Sequence, residues 1–291
     1  MTPEKSNILR LDVPPAPSCV VADSPHSGCE YPEDFGFACD FSELRKAEDA
    51  GVDALFDFFP GLGVPFLQAQ FPRAYIDPNR RDAVTEKFLR DGDGAFHPSR
   101  DALLREKCTP RSDQKIYGRK LKLSEVFNRV AGYYRPYHDR LADILDETRA
   151  RHGKVVHLNC HSMPSTMLRG KAPNKYDIIL GTRDGETCAP ELVAKLRDLL
   201  EAKGYKVGVN VPGYRGAEIV RRTGNPAHGR HSIQIEINRS LYMNEETVTP
   251  LSGMAKLCDD LKDVMMEFVA FCEDWKPALT ASSKRNRQPE I

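Results

Sequence analysis

Apolar and polar positions along the chain predict short buried strands separated by helices. "SCVVADSPHSG" (18–28) reads as a buried strand opening into a Pro/Gly loop. "DFSELRKAEDAGVDALFDFFP" (40–60) carries Leu44, Ala47, Leu55, Phe56 and Phe59 at roughly helical spacing, and Pro60 stops it. "VPFLQAQ" (64–70) is a second strand. The stretch 122–153 is helical, with Pro136 expected to kink or split it and Gly153 placed as its C-cap. "KVVHLNC" (154–160) follows as a central strand, and "YDIILG" (176–181) as a short one. "APELVAKLRDLLEAKG" (189–204) has proline in its first turn and glycine just past its end, the asymmetry of a helix. Strands at 205–212 and 231–240 and a helix over about 247–275 complete the series.

Strands alternating with helices predict an α/β fold, a mostly parallel mixed sheet flanked by helices on both faces. One catalytic domain is expected over 1–275, followed by a disordered tail at 276–291. The charged, Gly/Pro-broken segment 81–121 resists this scheme and reads as a lid or binding loop. Its "DGDG" looks like the start of a calcium loop, but Ala102 stands where the bidentate glutamate is needed, so calcium is rejected.

Composition narrows the picture. The chain has 42 basic and 42 acidic residues, which argues against a general nucleic-acid binder. It has no apolar run long enough to span a membrane and no apolar signal core at its start. A cytoplasmic protein with reduced thiols is the expectation, since the eight cysteines form no C-x-x-C pair. A homo-oligomer is left open.

Candidate chemistry collects where strands end, which is where ligands bind in open α/β sheets. "DSPHSGCEYP" offers Asp23, His26 and Glu30, and "NCHS" offers His161. In "IQIEINR", alternation puts Gln234, Glu236 and Asn238 on the face opposite three isoleucines. A glutamate there is costly to bury unless paired or functional. Two histidines and a carboxylate suit one Zn²⁺, and a second carboxylate suits proton transfer. Cys160 points away from its neighbour His161 and is read as inert. The turn "FPRAYIDPNR" presents Arg73, Asp77, Asn79 and Arg80, a set that suits a small anionic substrate.

"SPHSG", "YIDPNR", "NCHSMPS", "DIILGT" and "IQIEINRSLYM", in this order, resemble the N-formylglutamate amidohydrolase (deformylase) family, distantly akin to zinc carboxypeptidases and aspartoacylase. The resemblance covers about residues 18–245. It implies a carboxypeptidase-like zinc hydrolase, one ion per chain, that releases formate from N-formyl-L-glutamate in histidine degradation. By position it makes His26 and His161 metal ligands and Glu236 the general base. Asn79 and Arg80 inherit the hold on the substrate's carboxylate, and Arg73 of the same turn is counted with them as substrate-binding. His231 falls to transition-state stabilisation and Arg221 to substrate binding. The acidic ligand is Asp49 or Glu30: the third residue after His26 is Cys29, not glutamate, and Asp49 is preferred. Asn159 stands where the family tends to have aspartate. Two other readings remain open, a zinc amidase or carboxypeptidase for another N-acyl amino acid or peptide, and a non-catalytic binder of an acidic metabolite.

Overall fold

Strand β1 (Leu9–Asp12) forms one edge of a seven-stranded sheet that also contains β2 (Val20–Ser24) and β3 (Phe66–Ala69). Two-residue strands β4 (Ala95–Phe96) and β5 (Leu121–Lys122) make a separate ribbon. The main sheet is completed by β6 (Val155–Met163), β7 (Ile178–Gly181), β8 (Val207–Val209) and β9 (Arg230–Asn238), in the order β1-β3-β2-β6-β9-β7-β8. Only the β1–β3 and β7–β9 pairings are antiparallel; the other four are parallel. This computed structural model describes residues 8–85, 94–99, 102–109, 112–166 and 174–276. The α/β class with a mostly parallel mixed sheet is therefore the observed one.

Both faces of the sheet are covered. Val20, Ala22, Val156, Leu158, Cys160, Ile233, Ile235 and Ile237 share one buried cluster with helices Pro190–Ala202 and Gly253–Asp274. Val21, Leu67, Ala69 and Val155 pack on the other face with Tyr137, Leu141, Ile144 and Leu145 of helix Arg135–His152. The second face is not wholly apolar. Asp23, His157, Asn159 and His161 lie fully buried on it, so its centre is a polar seam that must satisfy itself by hydrogen bonds.

Three local expectations change. The helix read over 40–60 is two short helices, Phe41–Arg45 and Val52–Leu55. Between them Gly51 takes a left-handed conformation, φ 78°, which no continuing α-helix allows. The apolar spacing is as read, but the break turns Asp49 inward. Upstream of Pro136, the five residues Val130–Tyr134 widen into a π-turn before the helix resumes at Arg135, so the proline sits in the first turn of a restarted helix. Strand β1 was not anticipated; its "LRLD" is short and pairs only through β3. The tail from 277 onward lies outside the described residues, as do parts of 81–121. Among the described residues no helix is long and apolar enough to cross a membrane.

Candidate metal centre

Parallel pairing brings the carboxyl ends of β2, β6 and β9 side by side, and their polar side chains meet there. His26 sits two residues beyond β2, in a loop held against the end of β3. Gly28 makes that fit: a Cβ there would lie 2.4 Å from the Gln70 carbonyl carbon. His161 is on β6, directly across from Glu236 on β9 in the strand register. Asp49 arrives through the break before Gly51, with its backbone N–H donating to the His26 carbonyl at 3.0 Å.

These three side chains converge. Asp49 Oδ2 lies 2.9 Å from His161 Nδ1 and 3.3 Å from His26 Nδ1. One ligand-capable atom from each falls within 4.8 Å of the others, and all three residues are buried. Two imidazole nitrogens and a carboxylate oxygen at such separations fit a tetrahedral cation with metal–ligand bonds of about 2.0–2.2 Å and one open position. The other carboxylate oxygen, Oδ1, is gripped by Arg239 Nη2 at 2.9 Å and Arg73 Nη1 at 3.2 Å. Burial would raise the Asp49 pKa, but Arg73 and the two imidazoles outweigh it and hold this carboxyl well below its ordinary value. The carboxylate is ionised and all three donors are buried and oriented, as a metal site requires.

Each imidazole is fixed from behind. His26 Nε2 donates to Asp77 Oδ1 at 2.7 Å, which leaves the Nδ1 lone pair facing Asp49. Burial works against the Asp77 charge, yet Arg73, His26 and Arg80 keep its pKa well below the usual range. His161 Nε2 lies 2.8 Å from Asn159 Oδ1. The Asn159 amide cannot reverse, because its Nδ2 donates to Asp23 Oδ1 at 2.7 Å. Nε2 of His161 is therefore the protonated nitrogen, and Nδ1 again faces Asp49. Asp23 also accepts from Tyr137 Oη at 2.6 Å and His157 Nε2 at 3.0 Å. Desolvation pushes the Asp23 pKa up, but His157 and the hydrogen bonds from His157, Tyr137 and Asn159 bring it below the ordinary value. The missing aspartate at 159 is thus met by a carboxylate one side chain further back.

Glu236 accepts from Gln234 Nε2 at 2.8 Å through Oε1. Burial raises its pKa and the Asp49 charge adds to this, against the pull of His161 and Arg73. Asn79 ties the site together: its Oδ1 accepts from the Ile219 N–H at 2.8 Å, and its Nδ2 donates to Gln234 Oε1 at 3.4 Å. Arg80 stays partly open, with Nη1 on the Asn79 carbonyl at 2.9 Å.

Other expected residues do not join. Glu30 is exposed, which leaves Asp49 as the carboxylate that meets the histidines. Arg73 turns one terminal nitrogen to Asp49 and the other to Asp77, away from a free position. Arg221 lies half-exposed, paired with Glu218 on its own helix at 2.6 Å. His231 is an odd number of residues from Glu236 and so points to the opposite, apolar face; its ring packs edge-on to Trp275 at 5.0 Å. Burial lowers its pKa to about 4. Cys160 is buried on that same face, with its pKa raised by desolvation.

Two arginines escaped the sequence reading. Arg239 directly follows the "IQIEIN" strand, and its Nε also reaches Ser162 Oγ at 3.0 Å. Arg105 comes from the 81–121 segment and lies 3.6 Å from Asp77. The signal for Arg239 was present, an arginine closing a buried strand; Arg105 had none.

A family model described as N-formylglutamate amidohydrolase matches residues 18–243. The crystal structure of N-formylglutamate amidohydrolase from Ralstonia eutropha JMP134 superposes with a TM-score of 0.80 at 38% identity, covering 91% of this chain and 98% of that one. N-formylglutamate deformylase of Pseudomonas putida is 30% identical over 212 residues, 70% of this chain and 74% of that protein. Its counterpart in Pseudomonas aeruginosa is 27% identical over 242 residues, 80% of this chain and 85% of that protein.

Proposed function

The chain belongs to the N-formylglutamate amidohydrolase family, and from that premise we propose that it hydrolyses N-formyl-L-glutamate to formate and L-glutamate at a zinc centre held by His26, Asp49 and His161. The observation that carries this reading is the convergence of three ligand atoms within 4.8 Å, with Glu236 in register beside His161. Zinc, when bound, acts as a Lewis acid that makes a water acidic enough to ionise near neutral pH.

The remaining work falls to the chain's own side chains. Glu236, with a pKa raised by burial, takes the proton released as water attacks the formyl carbon and returns it to the departing amine. Arg80 holds a substrate carboxylate through paired hydrogen bonds and so sets the amide against the centre. Asn79 positions by linking Gln234, which holds Glu236, to the N-terminus of helix Glu218–Thr223. Arg73 and Arg239 keep Asp49 ionised and aimed. A lid role for the insertion at 81–121, parts of which lie outside the described residues, belongs to the same reading. A cytoplasmic location and a place in histidine degradation belong to the same reading.

The test is Glu236→Gln in purified protein, with formate release and bound zinc both measured. Zinc should stay while turnover falls about 100-fold or more. Unchanged turnover would remove Glu236 from the reaction, and wild-type protein without zinc would remove the metal.

A further inference from the structure

Three of the roughly four acceptor positions of the Asp77 carboxylate are taken. Its Oδ1 accepts from His26 Nε2 at 2.7 Å and from the Asn79 N–H at 2.9 Å, while Oδ2 accepts from Arg73 Nη2 at 2.9 Å. Arg105 approaches the same Oδ2, but its Nε stops 3.6 Å away, outside hydrogen-bond range. That Nε is buried and has no partner. The position is enforced by the backbone: the Asp77 N–H donates to the Leu103 carbonyl at 2.8 Å, and Leu103 and Leu104 are buried in the core. Arg105 is thus pinned beside a carboxylate that its Nε pairs with in charge but does not hydrogen-bond.

Charge points the same way. Arg73, Arg80, Arg105 and Arg239 gather around Asp49, Asp77 and Glu236, four guanidiniums against three carboxylates. A divalent cation at the triad would widen the excess. Burial first, then repulsion from Arg73 and Arg80, pushes the Arg105 pKa down to about 9. A guanidinium whose Nε lacks a hydrogen-bond acceptor among the described residues, with 17% of its side chain open, is suited to take an anion.

We propose that Arg105 is a specificity-determining substrate contact, which binds a second carboxylate beside the one that Arg80 holds and selects dicarboxylic N-acyl amino acids over their neutral analogues. This rests on the reaction proposed above, yet it can be tested apart from it. Glutarate should raise the melting temperature of the zinc-loaded wild type well above the effect of butyrate, which lacks the second charge. Arg105→Met should lose that difference, and Arg105→Lys should keep part of it.

In turnover, Arg105→Met should lower the ratio of kcat/KM for N-formyl-L-glutamate over N-formyl-L-glutamine by about 10- to 100-fold, the worth of a charged hydrogen bond. The glutamine analogue should react nearly as in wild type, with zinc content unchanged. Equal loss on both substrates would mean a merely structural arginine and would overturn the proposal. Equal protection of the wild type by glutarate and butyrate would overturn it too, even if Arg105→Met failed to fold. A wild type that releases no formate would sink the proposed reaction, while the glutarate comparison would still judge Arg105.

Discussion

The two imidazoles of the triad are supported in different ways. His26 leans directly on a carboxylate, Asp77, which is itself clamped by Arg73. His161 leans on an amide, Asn159, and reaches its carboxylate, Asp23, only through it. Both arrangements orient the ring so that Nδ1 faces Asp49, but they differ in charge. A carboxylate in contact sets a full negative charge against the ring, whereas a relayed one mainly fixes the tautomer. The His26 side is therefore the electrostatic anchor and the His161 side the geometric one.

The largest effect should come from the residue both sides share. Asp49→Asn leaves Arg73 and Arg239 buried without their common counter-charge, a loss of about 3–5 kcal/mol for a broken buried pair. Denaturant melts should show that fall together with zinc-free protein; a stable, zinc-bound variant would mean that the triad is misassigned. Next come the supports themselves. Asp77→Asn should weaken zinc binding by about 10- to 100-fold, and Asp23→Asn by clearly less. Equal losses in a competition titration would erase the distinction between the two sides.

Asn159→Asp sharpens the same point. It sets a carboxylate 2.7 Å from Asp23, so one of the pair must have a raised pKa. A raised carboxyl stabilises the fold below its unfolded pKa and loses that contribution as pH climbs through the folded value. The variant should accordingly be weaker than wild type at pH 7 and recover as the medium is acidified, as thermal melts across pH would reveal. The smallest effect belongs to His231. Its folded pKa of about 4 is below the unfolded value of about 6.5, so wild type loses stability as pH falls between them. His231→Gln should flatten that window and leave formate release unchanged.

Much of this was legible in the chain. Strand parity placed Glu236 and Cys160 on their proper faces, and the compact turns after apolar runs marked His26 and His161. The same parity rule excludes His231, which stood five residues from Glu236 and was admitted on resemblance alone. Asp49 was in view as a choice, but nothing local showed that Gly51 would break the helix and turn it inward. Asp77's bond to His26 and the approach of Arg105 join positions far apart in sequence, and no periodicity encodes such contacts. The pairing of Arg73 with Asp49 and Asp77, and of Arg221 with Glu218, was not legible either, because an arginine's partner depends on tertiary neighbours.

Gly28 bears on any attempt to redesign this protein. The loop that carries His26 rests flush against the backbone at Ala69 and Gln70, with no room for even a methyl group. A mutant library that randomises residues around His26 should hold this position constant. Any other amino acid there would lever the imidazole out of alignment before a new specificity could be read.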